Sequence, residues 1–309
     1  MQRNIFITED MAERMTPPKS ENDGDVQARN EMLIQIGQCC LSQQSYQLAA
    51  KKFTQAGDKL KAMQALLQSG DTEKIVFFSN VARQPKIYIL AANYLQSQPG
   101  WREDGQIMQT IITFYTKAKA FESLSSFYDS CSQVEIDDYR DYEKALAALR
   151  EALKYMVKAR TSQKEEKVKY LQQRIFLVDR FVEARRLVKS DPDEMARICH
   201  QLMDSPDVES AIRLGDVFAM MVEVAFEAGD MLAAFESIKH MRDRNVDVSA
   251  YLDDAMLQQI HREVGVEYQA EGDSGRLDQS GSQGEFMDGG MDGDIAGGGG
   301  IDEDLDGGM

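Results

Sequence analysis

Apolar residues recur at spacings of three and four over most of the first 260 positions. That is the helical period of 3.6, not the alternation of a half-buried strand. From Tyr142 the series runs Ala145, Leu146, Leu149, Leu153, Met156 and Val157, and from Leu171 it runs Ile175, Val178 and Val182. Two short runs compete as strands, Ile5-Phe6-Ile7 and Ile75-Val76-Phe77-Phe78, and the second fits a buried helix equally well. The six prolines (Pro17, Pro18, Pro85, Pro99, Pro192 and Pro206) stand at segment edges, where they leave helices unbroken. The pairs Gly57-Asp58, Gly70-Asp71 and Gly229-Asp230 each join a helix stop to an N-cap. The prediction is an all-α chain of short helices in antiparallel pairs.

A register emerges between residues 30 and 63. Leu33, Ile36, Gly37 and Cys40 fall on one predicted helix, and Ala49, Phe53 and Ala56 on the next. This spacing resembles the tetratricopeptide repeat. Gly37 and Ala49 are then small because the two helices cross closely, while Phe53 fills the groove toward the next repeat. A weaker copy is Phe218, Met221, Val222 and Ala225, followed by Ala234, Ile238 and Met241. Val222 stands where a small residue belongs, which predicts a wider crossing. Lys59–Ala82, Lys86–Ser97, Gln106–Ser130 and Tyr142–Arg160 read as degenerate repeats. The expected architecture is a tetratricopeptide-like α-solenoid of about ten to twelve helices, each touching mainly its neighbours.

Charge divides the 309 residues unevenly. The chain carries a formal charge of −17, yet residues 271–309 hold 11 of the 52 acids against one base, Arg276, with 13 of the 22 glycines. So polar a segment buries too little surface to offset its ordering entropy. The expected organisation is therefore a partly helical lead-in over 1–25, a solenoid over 26–265, and a disordered acidic Gly/Asp-rich tail over 266–309. No apolar run is long enough for a membrane span, and MQRNIFITED lacks the apolar region of a signal peptide. The acidic balance disfavours nucleic acid. Cys39, Cys40, Cys131 and Cys199 form no metal-binding pair and read as free thiols of a reducing compartment.

Residues 158–189 run against the acidic trend, with ten bases to four acids. Thr161-Ser162 offers a cap for a helix reaching about Lys189, roughly 40 Å long at 1.5 Å per residue. Its cations Lys164, Lys167, Lys169, Arg174, Arg180, Arg185 and Arg186 fit two readings. One is a solvated face with pairs such as Glu165–Lys169. The other is a docking surface for an acidic partner, a role for which the chain's own tail could compete.

Catalytic and cofactor chemistry finds no foothold. Gly272-Asp273-Ser274-Gly275 echoes a serine-protease nucleophile but has no positioned His or Asp. Asp292, Asp294, Gly297 and Glu303 follow the EF-hand spacing, but Ala296 occupies a ligand position and flanking helices are missing. His200, His240 and His261 form no zinc pair, and no phosphate-binding glycine loop is present. A carboxylate clamp on the first repeat would use Glu31, Ile34, Gln35, Gln38, Leu41 and Ser42, among which there is no cation. No enzyme activity, metal or cofactor is expected.

Some strings go beyond generic repeat residues. They are Lys86-Ile87-Tyr88-Ile89, Ala91-Ala92-Asn93-Tyr94-Leu95-Gln96-Ser97, Phe127-Tyr128-Asp129-Ser130-Cys131, Gln133-Val134-Glu135-Ile136-Asp137 and Ala211-Ile212-Arg213-Leu214-Gly215-Asp216-Val217. Together they resemble the C-terminal helical region of the intraflagellar transport protein 140 family, over roughly residues 5–265. The resemblance implies a non-enzymatic scaffold of intraflagellar transport complex A, acting in retrograde ciliary transport and in ciliary protein entry. The implied partners are the other complex A subunits and, indirectly, dynein-2 and ciliary cargo, at the cilium or flagellum and its basal body. Family members also carry two WD40 propellers. With a single tryptophan, Trp101, and no propeller pattern, this sequence implies a fragment or truncated product that begins inside the solenoid. A coat-like or generic adaptor solenoid outside cilia is the alternative. The candidate partner contacts are Glu31, Gln35 and Gln38 together with the cations of the basic helix. Leu33, Ile36, Gly37, Cys40, Ala49, Phe53, Ala56, Phe218, Ala225 and Ala234 are expected to pack the repeats.

Overall fold

The computed structural model describes residues 6–19 and 22–268. The chain divides into two units, Met1–Glu267 and Tyr268–Met309, and the described helices all belong to the first. Ile5, the Gly272–Gly275 string, the Asp292–Glu303 spacing and the acidic tail beyond Tyr268 lie outside the described residues.

Among the described residues there are fourteen α-helices and no strand. The first five are α1 (Glu9–Arg14), α2 (Asp23–Ser42), α3 (Tyr46–Gln55), α4 (Lys59–Ser69) and α5 (Thr72–Ala82). Next come α6 (Pro85–Ser97), α7 (Gly105–Ala118), α8 (Phe121–Asp137), α9 (Tyr142–Lys158) and α10 (Lys164–Leu187). The last are α11 (Pro192–Met203), α12 (Leu214–Glu227), α13 (Met231–Asp243) and α14 (Asp254–Val264). Thirteen of them, α2 to α14, form the array for which ten to twelve were expected, and α1 lies in the lead-in, expected to be partly helical. The run Ile75–Phe78 lies in α5, while Phe6 and Ile7 belong to no regular element.

Aspartate punctuates the array. Asp58, Asp71, Asp104, Asp141, Asp191 and Asp230 each cap a helix, accepting from a backbone N–H of its first turn. Three of these caps also pair with the lysine three residues on, Asp58–Lys61, Asp71–Lys74 and Asp141–Lys144, at 3.2, 2.9 and 3.1 Å. Six of the chain's acids are therefore helix caps, where the helix N-terminus favours their charge. Gly57, Gly70 and Gly229 turn the backbone into the next cap at φ of +80°, +69° and +78°, a region closed to most side chains.

Packing follows the order of the chain. The helices α2, α3 and α4 stack in sequence, as do α8, α9 and α10; α6 lies on α7, α10 on α11 and α12 on α13. This is the nearest-neighbour pattern of a tetratricopeptide-like solenoid. One apolar cluster extends from Ala12 to Phe127, with Tyr88 against Phe114 and Trp101 against Phe127 at ring separations of 5.2 and 5.3 Å. Gly37 shows why its position is small. A Cβ there would lie 2.7 Å from Cε1 of Phe53, closer than van der Waals packing permits. The ring of Phe53 therefore fills the crossing within its own hairpin, where the sequence suggested the groove to the next one.

The short helix α1 is held by charge as well as by Ala12. Lys52 is completely buried, yet its Nζ reaches Thr16 Oγ1 at 2.9 Å and Glu13 at 3.2 Å. Lys51 pairs with Glu9 and Glu13 at 2.9 and 3.0 Å. The backbone N–H of Ile7 donates to Gln43 Oε1. Both lysines belong to α3, so the second helix of the clearest repeat docks the element that precedes it.

Candidate partner-binding surface

The basic helix α10 spans 24 residues, about 36 Å at 1.5 Å per residue. Its N-cap is Gln163, with no side-chain cap bond, and not the expected Thr161-Ser162 pair. Glu165 and Glu166 in the first turn supply the negative charge that a helix N-terminus favours.

Most of the cations on α10 are spent inside the fold. Arg174 is the clearest correction to the expected docking surface, because its side chain is only 3% exposed. Its guanidinium pairs with Asp129 and donates to Gln133 Oε1 at 2.7 Å, both on α8. An arginine so enclosed offers nothing to a partner. Its role is to bind α10 to α8, with the guanidinium 5.8 Å from the ring of Tyr170. Burial outweighs the arginine's charge at Asp129 and holds that carboxyl above its ordinary range.

The other candidates fall into two groups. Lys167 pairs with Glu122 at 2.7 Å, Arg186 with Glu143 at 2.9 Å, and Arg180 with Glu183 at 2.5 Å. Lys164 donates to the Val157 carbonyl. These contacts bind α10 to α8 and α9 or run along α10 itself. Lys169 is exposed, and no ion pair joins it to Glu165, the pairing that the i,i+4 spacing suggested. Arg185 donates to the Arg140 carbonyl at 3.4 Å and lies 5.8 Å from the Tyr142 ring, without a carboxylate partner among the described residues. The free positive surface of α10 is therefore much smaller than its composition suggests.

On α2, Glu31, Gln35 and Gln38 are all exposed, and Glu31 accepts from Gln27 at 3.2 Å. They lie one or two helical turns apart, while Leu33, Ile36, Gly37 and Cys40 point inward. Ala49, Phe53, Phe218 and Ala234 are buried, whereas Ala56 and Ala225 are half-buried. Of the cysteines, Cys40 and Cys199 are buried and Cys39 is exposed; burial pushes the thiols of Cys131 and Cys199 up to about 12.

One feature was invisible in the sequence. The turn between α8 and α9 reaches across to α12 and to the segment before α14. Tyr142 Oη donates to Asp216 Oδ2 at 2.5 Å and accepts from the Arg213 N–H at 3.2 Å. Arg140 pairs with Asp216 at 3.5 Å and donates to the Ala250 carbonyl at 3.0 Å. Tyr251 receives Arg140 and Arg213 over its ring at 4.8 and 5.1 Å, and its hydroxyl accepts from Arg213. Gly215 leaves room for that ring, since a Cβ would come within 2.3 Å of it. Burial first, then the charge of Asp216, raises the Tyr142 hydroxyl well above its ordinary range, so it stays a donor. The only sequence signal was the string Arg213-Leu214-Gly215-Asp216, whose residues all fall in or beside this junction.

The histidines are placed differently from one another. His200 and His240 line one groove between α11, α12 and α13, of about 510 Å³. His261 is buried edge-on against Phe235 at 5.2 Å, with Nδ1 2.8 Å from the Leu257 carbonyl. Among the described residues no three His, Cys, Asp or Glu side chains converge as a metal site would require. No described helix is long and apolar enough to cross a membrane.

Two family models match the chain. The tetratricopeptide domain shared by intraflagellar transport proteins 140 and 172 covers residues 1–114. The C-terminal tetratricopeptide domain of intraflagellar transport protein 140 covers residues 122–242.

Proposed function

We propose, from the premise that this chain belongs to the intraflagellar transport protein 140 family of tetratricopeptide proteins, that it is a non-enzymatic scaffold of intraflagellar transport complex A. In this reading it acts in retrograde ciliary transport and in the entry of proteins into cilia. It works at the cilium and basal body, holding sister subunits of the complex and, through them, dynein-2 and cargo. The observation that carries the reading is the succession of two domain models of this family along a single helical array. Such an array exposes a long surface for its size, which suits assembly. The proposed contacts are Glu31, Gln35 and Gln38 on α2, together with Lys169 and Arg185 of α10, which have no carboxylate partner among the described residues; Lys164, also without one, is held by the Val157 carbonyl.

The test is an affinity pull-down from ciliated cells with this chain as bait, the prey being read by mass spectrometry. Recovery of complex A subunits, reduced by combined charge reversal at Lys169 and Arg185, is the expected result. A folded, helical bait that captures none of them would overturn the ciliary reading in favour of an adaptor working elsewhere.

A further inference from the structure

Helices α10 and α12 open two consecutive hairpins, and between them lies a cleft of about 430 Å³. The apolar part of its lining comes from Phe181, Met220 and Val224, beside the polar Tyr142 and Asp216 of the junction described above. One rim carries Arg185, in the last turn of α10, and Lys189, in the turn just after it. The opposite rim carries Glu223 and Glu227, four positions apart on α12. Among the described residues, none of these four charges has an ion-pair partner. The neighbouring charges do: Arg140 is engaged by Asp216 and Arg186 by Glu143. Two cations without an ion-pair partner and two carboxylates without one thus line the same cleft, around an apolar patch.

We propose that this cleft is a docking groove for a partner helix with an apolar stripe, flanked by carboxylates at i and i+4 on one edge and by Lys or Arg at i and i+4 on the other. Charge complementarity selects this occupant. A wholly acidic segment would meet Glu223 and Glu227, and a wholly basic one would meet Arg185 and Lys189. A polyanion such as nucleic acid is rejected for the same reason. The geometry selects a helix. An extended strand sends its side chains to two opposite sides, which would satisfy the rims and leave nothing for the apolar patch. A helix presents three directions at once, two edges and a stripe. The cleft has room for a few apolar side chains and not for the helix itself, so the anchors enter while the helix lies across the mouth. Partial burial, and then the charge of Glu227, raise the Glu223 carboxyl above its ordinary range, as two like charges without a cation should. The inference rests on the reading of this chain as a protein-binding scaffold but not on its ciliary assignment.

The test uses the full chain and synthetic labelled helical peptides of about fifteen residues, roughly four turns. All share one Leu/Ala stripe. One carries Glu on one edge and Lys on the other, one only Glu, one only Lys, and one the same charges mixed on both edges. Fluorescence anisotropy at low salt should show the first binding at least about tenfold tighter than the rest. The double variants R185E/K189E and E223K/E227K should each lose that preference. The quadruple variant should regain it, because its rims have exchanged sign and the helix can lie in the opposite direction. Met220→Arg should abolish binding with the rims intact, and circular dichroism should show every variant folded. Equal affinity for all four peptides, indifference to charge reversal, or no binding at all would each overturn the proposal. A pull-down that fails to recover complex A would leave this result untouched, so the two readings fail separately.

Discussion

Tyr142 Oη and Asp216 Oδ2 stand 2.5 Å apart although 74 positions separate them in the chain. A stack of helices in which each touches only its neighbours has few such bonds. This one locks the turn between α8 and α9 onto α12, and Arg140 extends the lock to Ala250, 110 positions away. Tyr142→Phe removes a buried hydroxyl that donates to a charged acceptor, so it should cost about 1.5–3 kcal/mol. Urea unfolding gives the number. Because the hydroxyl is held protonated by burial and by Asp216, the difference from the native chain should stay flat from about pH 6 to pH 9. A difference that shrinks steadily with alkalinity would place the tyrosine's ionisation inside that range and contradict the assignment.

The crossing of α2 and α3 sets a second expectation. Phe53 is 1% exposed and its ring occupies the space where a side chain at Gly37 would begin. Phe53→Ala should destabilise by about 3–5 kcal/mol through lost burial and a cavity. Gly37→Ala overpacks the same point and should cost about 1–3 kcal/mol. The two should not add: with the ring gone, the new methyl group has room, and the double variant should be no worse than Phe53→Ala alone. Additive losses in denaturant titrations would show that the ring and the glycine do not share one space.

The same logic applies with a different rescue at Gly215. Its Cβ would fall 2.3 Å from the Tyr251 ring, which Arg140 and Arg213 also engage. Gly215→Ala should therefore displace the ring and loosen the junction of α9, α12 and α14, with a cost of about 1–3 kcal/mol. Hydrogen exchange should report the loss in the first turn of α14. Faster exchange confined to α2 and α3 would be inconsistent with this placement.

Periodicity made the helices legible, and the Gly-Asp pairs made their boundaries legible, because both are local consequences of backbone geometry. Gly37 and Phe53 were each readable as packing positions because the repeat fixes their spacing, but the sequence set Gly37 against Ala49 and sent Phe53 to the next groove, so their meeting was not read. What escaped was tertiary. Arg174 was counted among the docking cations because composition records charge and not direction; only the fold shows it turned inward to Asp129. The cap at Thr161-Ser162 failed for a similar reason, since acidic residues in the first turn serve that helix end without a capping side chain. Beyond the string around Asp216, nothing in the sequence marked Tyr142 and Tyr251 as its partners. No periodic pattern links positions 74 or 110 residues apart.

Arg174 and Asp129 yield a prediction about buried charge. The arginine side chain is 3% exposed and the aspartate 27%. Removing one partner strands the other, so Asp129→Leu should cost about 3–5 kcal/mol and leave an uncompensated guanidinium. Arg174→Met should cost less, since Asp129 is closer to water and can take a proton more readily than an ordinary carboxylate. The double variant Asp129→Leu, Arg174→Met should recover most of the loss, because well-packed apolar pairs often match buried ion pairs. Thermal melts of the four proteins complete the cycle. A double variant as unstable as Asp129→Leu alone would mean that the pair is needed for its bonds, including that to Gln133, and not merely for charge balance.

The docking of α1 should depend on pH. Hydrogen bonds from Lys51 and then Lys52 hold the Glu13 carboxyl below its ordinary value of 4.5. The docked state thus favours the ionised form. Its contribution is present above the unfolded value and is lost as pH falls through the folded one. Amides of Met11 to Met15 should accordingly lose protection on acidification below about pH 4, beyond the intrinsic change in exchange rate, while the core of α3 stays protected. Lys52→Met removes the bonds to Glu13 and Thr16 without opening a cavity, and should expose those amides already at neutral pH and flatten their pH dependence. Glu13→Gln should behave similarly but more weakly, since Lys52 keeps Thr16. Equal protection of α1 at neutral and acid pH in the native chain would show that Ala12 and the apolar contacts alone hold it in place.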